Sequence, residues 1–498
     1  MQGHLPVIAG VAQYNPRAAG LAQAPEPLAM REPLTMMDLV ARAAAEDSGA
    51  PDLLKSIDAI AIPNIASARY QNAPDALAAR LGINPRRKIY TTFGGNTPQF
   101  LVNHLAGEIA AGKIRAAMIV GAEAIYSQRH AQKTGGMNWD LRKGTGAPEM
   151  MGDPRMGTNA YEDRHGARMP IQVYPLFENA YRARNGWSLT QHRERLGQLW
   201  SSMTKVAARN PYAWFPKERS AIEIATATPD NRIICFPYTK LMNAIMEVDL
   251  AAAVILASDS EARRLGVPDH KLVYIHATAD ATDSWWISER ESFARSPMLR
   301  SCVNAALDGA GIDANAVSHF DFYSCFPVAV EFAMDAVGMT LGDPRGVTVT
   351  GGLPFAGGPA NNYVTHSIAA MTSRLRAHAG EFGMTTGLGW YFTKHAAAVY
   401  STRAPERDFA YRAFKEPAQS AVVAIEQAEG PATVETYTVE HDRAGLPTNA
   451  IVVGRLATGE RFFARAPREI LADIEREEFV GRRGRVRNTD GLNVFEPA

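Results

Sequence analysis

GNTPQFLVNH (Gly95–His104) and GGPANNYVTH (Gly357–His366) are two stretches of this 498-residue chain that share one pattern. Each is a glycine-rich turn followed by a helical segment that carries Val-x-His at the same offset. Each also follows a matched helix–glycine–strand segment, ARAAAEDSGAPDLLKSIDAIAI (Ala41–Ile62) in the first case and VNAALDGAGIDANAVSHFDFY (Val303–Tyr323) in the second. Because an internal repeat marks a repeated structural unit, the sequence predicts two halves of like topology that face one another.

Outward from the first repeat, strands alternate with helices. The run PVIAGVA (Pro6–Ala12) is unbroken and apolar, which is typical of a strand covered on both faces. A helix with Thr35 as its N-cap comes next. The full set of predicted strands and helices after Pro6–Ala12 is Thr35–Asp47, Ile57–Ile62, Thr97–Ala111, Ala116–Val120, Val248–Ala257 and Asp259–Leu265. This alternation predicts an α/β layered fold.

Two other regions have a different character. Asp140–Ala225 is polar, rich in Met and Arg, and helical by pattern, for example over Gln191–Ala208, so it is predicted to be an insertion on the sheet scaffold. Thr402–Arg407 (TRAPER) is predicted to be a linker. Short strands follow it without a long helix, which predicts a small β-barrel. These strands are Ala421–Ile425, Thr433–Val439, Ala450–Leu456, Arg461–Ala464 and Gly484–Arg487.

Composition excludes several classes of protein. Lys plus Arg and Asp plus Glu both number 52, so the basic excess of a nucleic-acid-binding protein is absent. One basic cluster near the C-terminus is either one face of a strand or a phosphate-contacting patch; it comprises Arg482, Arg483, Arg485 and Arg487. The chain has no apolar run long enough to span a membrane, its N-terminus does not resemble a signal peptide, and its three cysteines are scattered. These features predict a cytoplasmic protein without disulfides.

The glycine-rich turns are the first candidates for chemistry. Gly351–Pro359 and Phe93–Asn96 each open a helix, where free backbone N–H groups can bind an anion or an oxyanion. Tight strand-to-helix packing that only glycine allows is the alternative. Neither turn matches a dinucleotide-binding or phosphate-binding loop.

Other side chains form a second set of candidates. Tyr323-Ser324-Cys325-Phe326 follows a predicted strand of the second half, where α/β sheets bind ligands. A cysteine beside a tyrosine can supply acid–base chemistry, although a buried structural thiol is the alternative. His104 and His366 fit helix packing better than catalysis. No residues have the spacing of a metal site, so no metal is expected.

The repeat and the turns together resemble the thiolase superfamily, the acetyl-CoA acetyltransferase-like proteins, over Leu5–Ser401. Val248–Gly266 resembles the segment that closes the family's first half, Lys271–Asp280 the opening of its second half, and Ala207–Phe215 a loop-domain segment of sterol-carrier-type thiolases. The C-terminal region resembles the additional domain of thiolase-like type-1 proteins. The resemblance implies two similar halves in a five-layered αβαβα core, an inserted loop domain and an OB-like barrel.

The implied domains are residues 1–270 with a loop domain at about 126–245, residues 271–401, and residues 408–498. Family motifs can be carried over residue by residue. Asn96 stands where the nucleophilic Cys is expected, Gly358 where its activating His is expected, and Thr385 where a second Cys is expected. Gly387 remains as the glycine that contacts the thioester oxygen.

The fourth motif, His-Asp-Cys-Phe in sterol-carrier thiolases, is Tyr323-Ser324-Cys325-Phe326 here. The resemblance therefore implies an acyl-CoA-handling enzyme of lipid metabolism with non-classical carbon–carbon chemistry. A retro-aldolase that cleaves β-hydroxyacyl-CoA, as in steroid side-chain aldolases of this fold, and a non-catalytic acyl-CoA- or lipid-binding protein are the alternatives. Candidate catalytic residues are Tyr323, Cys325, Asn96, Gly358 and His366, and Tyr363 lies further along the helix that Gly358 precedes.

A coenzyme A thioester is expected as substrate, with no tightly bound cofactor. No nucleic-acid partner and no membrane span are expected. The family implies a homodimer, and a barrel that covers the dimer surface would leave a monomer.

Overall fold

The computed structural model describes residues 4–17, 31–134, 139–418 and 422–498. Its strands are β1 Pro6–Tyr14, β2 Ile57–Ile62, β3 Arg87–Thr91, β4 Ala116–Ala124, β5 Glu149–Met151, β6 Ile233–Cys235, β7 Tyr238–Thr239, β8 Asp249–Ser258, β9 Val273–Thr282, β10 Val317–Asp321, β11 Phe382–Gly389, β12 Lys394–Ser401, β13 Ala410–Phe414, β14 Gly430–His441, β15 Pro447–Leu456, β16 Arg461–Arg465, β17 Arg483–Thr489 and β18 Leu492–Pro497.

Its helices are α1 Pro33–Asp47, α2 Ala73–Leu81, α3 Thr97–Ala110, α4 Ile125–Thr134, α5 Ala160–Arg164, α6 Pro170–Arg184, α7 Leu189–Ala207, α8 Ala221–Ala225, α9 Asp259–Arg264, α10 Pro297–Ala310, α11 Pro327–Val337, α12 Tyr363–Ala377 and α13 Leu471–Ile474. None of these helices has the length and apolarity needed to cross a membrane.

The large sheet contains both halves of the predicted repeat. The first half has the strand order β1-β8-β4-β2-β3 and the second has β9-β12-β11-β10, so the two are arranged alike around the junction of β1 and β9. That junction is short, because β1 pairs with β9 only through Val7–Tyr274 and Ile8–Val273. Further along β9, strand β13 takes the place of β1 and pairs in parallel with Ala277–Ala281. The predicted two-half α/β architecture is confirmed.

Helices cover both halves and also separate them. Helix α1 packs on β1, β4 and β8, α10 packs on β9 and β12, and α3 and α12 lie between and contact strands of both halves. Strand β8 shows how the sequence produces these layers. Its residues are all buried, and they alternate between a core with α1 that holds Ala251, Ala253 and Ile255 and the central core that holds Val254 and Leu256. The αβαβα layering follows from this two-sided burial.

Several predicted elements match closely, and others shift for physical reasons. The strand Ile57–Ile62 is confirmed to the residue. Helix α1 begins at Pro33 with Glu32 as its N-cap, so Thr35 as the cap is wrong; proline is favoured at a first helical position, where its missing N–H costs nothing. In the second half, no strand corresponds to β3 among the described residues. The segment Val347–Thr350 runs there instead, and the Asp321 carboxylate accepts hydrogen bonds from the backbone N–H groups of its last two residues.

The C-terminal region is a closed five-stranded barrel. Its order is β14-β15-β16-β18-β17 and back to β14, with only β16–β18 parallel, which is the connectivity of an OB-fold. The predicted strand Ala421–Ile425 is wrong where it is described, because Ala424 forms only one isolated bridge, to Arg461; Ala421 itself lies outside the described residues. Strand β18 was not predicted. Strand β13 falls inside the predicted barrel domain but extends the large sheet.

The barrel rests on the inserted region. Helix α6 packs on β14, and β6 pairs with β14 through Cys235 and Glu440. In β17, Arg483, Arg485 and Arg487 are exposed and alternate with the buried Val486, so they form one face of a strand.

Candidate active site

The first glycine-rich turn delivers Asn96 to the start of α3. Asn96 is the N-cap of that helix, and its side chain is buried. Gly94 has φ 157°, and a Cβ there would lie 2.6 Å from Asn96 Oδ1 and 2.8 Å from Lys394 Nζ. Among the described residues, Asn96 Oδ1 has no hydrogen-bond partner. The turn therefore presents a polar atom that its own surroundings leave unsatisfied.

Strand β11 approaches this turn closely. A Cβ on Gly387 would lie 2.9 Å from Asn96 Cα, and one on Gly389 would lie 2.2 Å from Asn96 Oδ1. Gly387 needs glycine because a backbone atom at this distance leaves no room for a methyl group, whereas a methyl group at Gly389 would displace the Asn96 side chain. The structure thus brings Gly387 and Asn96 together.

Tyr323 completes this group. Its backbone N–H donates to Thr386 Oγ1 at 2.9 Å, and its hydroxyl packs against Gly95, where a Cβ would lie 1.9 Å from it. Its ring meets that of Tyr363 edge-on at 5.8 Å. Burial, followed by the nearby Cys325 thiol, raises the pKa of Tyr323 well above its ordinary value. The phenol is therefore protonated near neutral pH and can donate a proton at the Asn96 turn.

The other aromatic hydroxyl of this region is already engaged. Tyr363 Oη lies 2.6 Å from Thr350 Oγ1 and donates to Asp321 at 3.1 Å. These hydrogen bonds tie Tyr363 to Thr350 and to Asp321 at the end of β10. Its contact with Tyr323 is through the rings only.

Cys325 lies behind Tyr323 and faces an aromatic wall. Its thiol interacts with the Tyr174 hydroxyl, and burial raises the pKa of Cys325 to about 12. Tyr174 stacks on Phe326 at a centroid distance of 4.5 Å. Because only a thiolate is a strong nucleophile, Cys325 in this environment is not activated for acyl attack.

Gly358 and His366 are placed elsewhere. Gly358 N–H donates to the Ile245 carbonyl at 2.9 Å. His366 Nδ1 contacts Gln13 Oε1 of β1 at 3.0 Å, and burial lowers the pKa of His366 to about 3. The imidazole is thus neutral and hydrogen-bonded to β1, so the structure does not bring it to Tyr323.

A groove of about 750 Å³ is lined in part by Ile245, the residue whose carbonyl accepts from Gly358. Its inner wall belongs to the same short segment that contacts the site, because Ala244 N–H donates to the Cys325 carbonyl at 3.1 Å and Ile245 accepts from Gly358. Cationic, aromatic and acidic side chains line the rest. The cations and aromatic rings are Arg17, Trp214, Phe215, Arg219 and Lys240, and the carboxylates are Glu223, Asp230 and Glu247, of which Glu223 lies 3.9 Å from Arg219. The Arg17 guanidinium lies 3.8 Å from the Trp214 ring centroid. The sequence did not reveal this set because its members come from distant segments.

A second, smaller cavity of about 260 Å³ borders Asn96 itself. Lys394 and Asp280 line it, and neither was singled out from the sequence. The available signal was a charged residue at the edge of a buried small-apolar run, KHAAAVYS and VYIHATAD.

The fold also gathers carboxyl and imidazole groups that sequence spacing did not reveal. Glu178, His192 and Glu331 come from three helices, and their ligand atoms lie within 4.8 Å of one another. Burial raises the pKa of both Glu178 and Glu331, and the positive charges of Arg182 and Arg195 offset only part of that rise. Because the protein itself supplies this positive charge, the cluster gives no specific support for a metal ion. His319, His378 and Glu381 form a similar group nearer the surface.

Comparison with known proteins gives a consistent picture. The family model for the thiolase-like protein type 1 additional C-terminal domain matches residues 416–491. No curated protein sequence matches the chain. Among solved structures, a monomeric SCP2-thiolase like protein type 1 from Mycobacterium smegmatis is similar over 100% of both chains, with 32% identity and a TM-score of 0.83.

Two more distant structures share the fold alone. An acetyl-CoA acetyltransferase from Syntrophomonas wolfei is 13% identical with a TM-score of 0.56, over 81% of this chain and 100% of its own. The Ltp2-ChsH2(DUF35) aldolase is 16% identical with a TM-score of 0.57, over 80% of this chain and 98% of that chain.

Proposed function

The chain belongs to the SCP2-thiolase-like protein type 1 family, and from that premise we propose that it acts on acyl-CoA thioesters without forming a covalent acyl intermediate. The observation that carries this proposal is Asn96 at the N-cap of α3, where the thiolase resemblance expects the nucleophilic cysteine. An amide cannot hold an acyl group as a reactive ester. Cys325 does not replace it, since its thiol stays protonated.

The larger groove is the proposed entry for coenzyme A. Arg17, Arg219 and Lys240 offer positive charge for phosphate groups, and Trp214 and Phe215 offer aromatic surface for a nucleobase. A volume of about 750 Å³ suits a ligand of this size. Ile245 lines the groove and accepts from Gly358, and its neighbour Ala244 donates to Cys325, so the acyl end of a bound thioester would point toward Tyr323.

Retro-aldol cleavage of a β-hydroxyacyl-CoA is the reaction that Tyr323 favours. In this reaction a base removes the β-hydroxyl proton and the Cα–Cβ bond breaks. A carbonyl product then leaves, and the thioester enolate takes up a proton. Tyr323 is a protonated phenol at the Asn96 turn, which makes it the proposed donor to the enolate. The shared fold with an aldolase is compatible with this chemistry.

The test is incubation of the full chain with panels of acyl-CoA and β-hydroxyacyl-CoA, followed by product analysis. We expect cleavage of a β-hydroxyacyl-CoA to a shorter acyl-CoA and a carbonyl compound, with no acyl group on any cysteine by mass spectrometry. An acylated cysteine would contradict the non-covalent mechanism. Saturable thioester binding without turnover of any thioester would instead leave an acyl-CoA-binding protein, the second candidate.

We also propose that the protein is a monomer. Strand β5 pairs with β3 at the edge of the large sheet, where the Arg87 guanidinium donates to Glu149 at 2.9 Å. A strand whose edge is covered in this way is less available to pair with a second chain. The Mycobacterium smegmatis relative is described as monomeric. Light scattering during size-exclusion chromatography should give the mass of one chain, 54.1 kDa, and twice that mass would refute the proposal.

A further inference from the structure

The smaller cavity lies between α3 and the strands of the second half. Asn96 and Phe100 line it from α3, and Asp280, Trp285 and Lys394 line it from the other side. At about 260 Å³ it has room for a small molecule only. None of the proposed acyl-CoA chemistry uses its charged side chains.

Lys394 is a buried amine with unusual surroundings. Only 8% of it is exposed, and its Nζ donates to the Phe93 carbonyl at 2.5 Å. Within the described ranges, no carboxylate forms an ion pair with it. The nearby Asp153 is instead paired with Arg155 at 2.8 Å, and Arg155 also binds Glu416 at 2.7 Å.

The loss of solvent, without a close counter-charge, lowers the pKa of Lys394 to about 8. Two indole rings flank the amine at 5.8 and 5.9 Å. A fraction of the amine is therefore neutral near pH 7, and a neutral amine is a nucleophile.

Asp280 faces the same cavity from the neighbouring strand. In the pairing of β12 with β9, Lys394 is opposite Thr282, so Asp280 is its diagonal neighbour on the same face of the sheet. Such neighbours are about 7–8 Å apart. Asn103 donates to one oxygen of the Asp280 carboxyl and Tyr411 to the other, both at 2.8 Å. Burial raises the pKa of Asp280 to about 7, so at neutral pH it is partly protonated.

We propose that this cavity binds a small aldehyde or ketone and that Lys394 forms a Schiff base with it, with Asp280 as the proton-transfer group. The cavity supplies a desolvated amine, a carboxyl held in place by two hydrogen bonds, and space for one small carbonyl compound. Asn96 Oδ1 is an unpartnered acceptor at its rim, positioned for a hydroxyl of the carbinolamine.

The chemical step is balanced without a further reactant. The neutral Lys394 amine adds to the carbonyl carbon and gives a carbinolamine. Asp280 donates its proton to the hydroxyl group, which leaves as water, and then takes the proton from nitrogen as the C=N bond forms. The net change is loss of one water molecule, with no oxidation or reduction.

Reductive trapping tests this site independently of any acyl-CoA turnover. The full chain is incubated separately with propanal, acetone and pyruvate in the presence of cyanoborohydride, and lysine-containing peptides are quantified by mass spectrometry. We expect one of these probes to label Lys394 with saturation, about tenfold faster than the exposed Lys240 at pH 7. The rate of labelling should rise with pH toward 8.

The wild-type peptide map decides the question even if a variant does not fold. Labelling of Lys394 without saturation, or at the rate of Lys240, would overturn the proposal, and so would no labelling of Lys394 by any of the three probes. Asp280→Asn removes the proton donor and should slow trapping at least tenfold and flatten its pH dependence. An unchanged rate and pH profile in that variant would remove Asp280 from the proposed step.

Discussion

The Asn96 turn and the Gly358 turn occupy equivalent places in the two halves, yet they face different surroundings. At the first, Tyr323, Lys394 and two glycines of β11 pack closely around Gly94, Gly95 and Asn96. At the second, the Gly358 N–H is satisfied by the Ile245 carbonyl. Similar local sequence thus gives different helix starts: α3 begins directly after Asn96, whereas a 3-10 turn, Ala360–Asn362, separates Gly358 from the start of α12 at Tyr363. The expectation that Gly351–Pro359 directly opens a helix is therefore wrong.

The largest expected effect concerns the side chain that distinguishes the first turn. Tyr323→Phe removes the protonated donor and should lower turnover of the β-hydroxyacyl-CoA about 10²–10⁴-fold, the range of general acid catalysis. Tyr437→Phe is the matched control, because the Tyr437 hydroxyl is buried in the barrel without a hydrogen-bond partner among the described residues. Steady-state kinetics that show equal loss in both variants would contradict a specific role for Tyr323.

The charge at the first turn should also appear in the pH dependence of stability. The folded state lowers the pKa of Lys394 from 10.5 to about 8, so the unfolded chain binds more protons between these values and stability rises with pH across that window. Lys394→Met should raise the free energy of unfolding at pH 7 by on the order of 3 kcal/mol.

That advantage should shrink between pH 8 and 10.5. Thermal melts of the wild type and of Lys394→Met from pH 6 to about 11 measure the difference in stability between them. This pH range extends just beyond the ordinary lysine pKa. A difference that stays constant with pH would show that Lys394 is not the group responsible.

Replacing glycine by alanine should destabilise the protein more beside the Asn96 turn than at the Gly358 turn, because the space for a methyl group differs. Gly387→Ala places a Cβ 2.9 Å from Asn96 Cα, whereas Gly358→Ala places one no closer than 3.2 Å to any neighbour. We expect Gly387→Ala to lower stability by about 1–3 kcal/mol and Gly358→Ala to lower it by less than about 1 kcal/mol. Melting temperatures measured side by side give the order, and the reverse order would mean that β11 yields more easily than the Ile245 segment.

The smallest expected effect is on thiol reactivity. A cysteine at a helix N-terminus has a lowered pKa, so Asn96→Cys should react with iodoacetamide faster than Gly358→Cys, by about tenfold near pH 7. The natural cysteines are all buried and should contribute little to the signal. Equal rates of alkylation for the two introduced thiols would remove the electrostatic distinction between the turns.

The two-half architecture could be predicted because similar runs of apolar residues and glycine turns occur in both halves of the sequence. A continuous apolar run such as Ile57–Ile62 leaves few alternatives to a buried strand. The start of α1 was predicted two residues too late. Thr35 is a good capping residue, but the helix begins at Pro33, which is favoured at a first helical position. The short strand β18 was missed because its buried positions, Asn493 and Phe495, do not differ in polarity from the partly exposed Leu492 and Val494 in the regular way that marks a strand.

The site was predicted only where it follows the chain. Asn96 and Gly387 were each singled out from a family motif, and the structure places them side by side. Lys394 and Asp280 were missed because their proximity depends on the register of β12 against β9, which no local pattern encodes. His366 has the right spacing on α12, but the direction of its side chain toward Gln13 depends on how the helix rotates against β1.

Strand β13 and the residues just after it complete the smaller cavity, and they are synthesised after both halves. Tyr411, which holds Asp280, and Glu416, at the outer wall, emerge from the ribosome after both halves have been synthesised. Domains fold from the N-terminus as they appear, so a nascent chain that ends near Ser401 has both turns but an open cavity. The segment that contains Tyr411 and Glu416 therefore completes the cavity last. A chain that ends before this segment would have both folded halves, but it would lack the enclosure that sets the pKa values of Lys394 and Asp280.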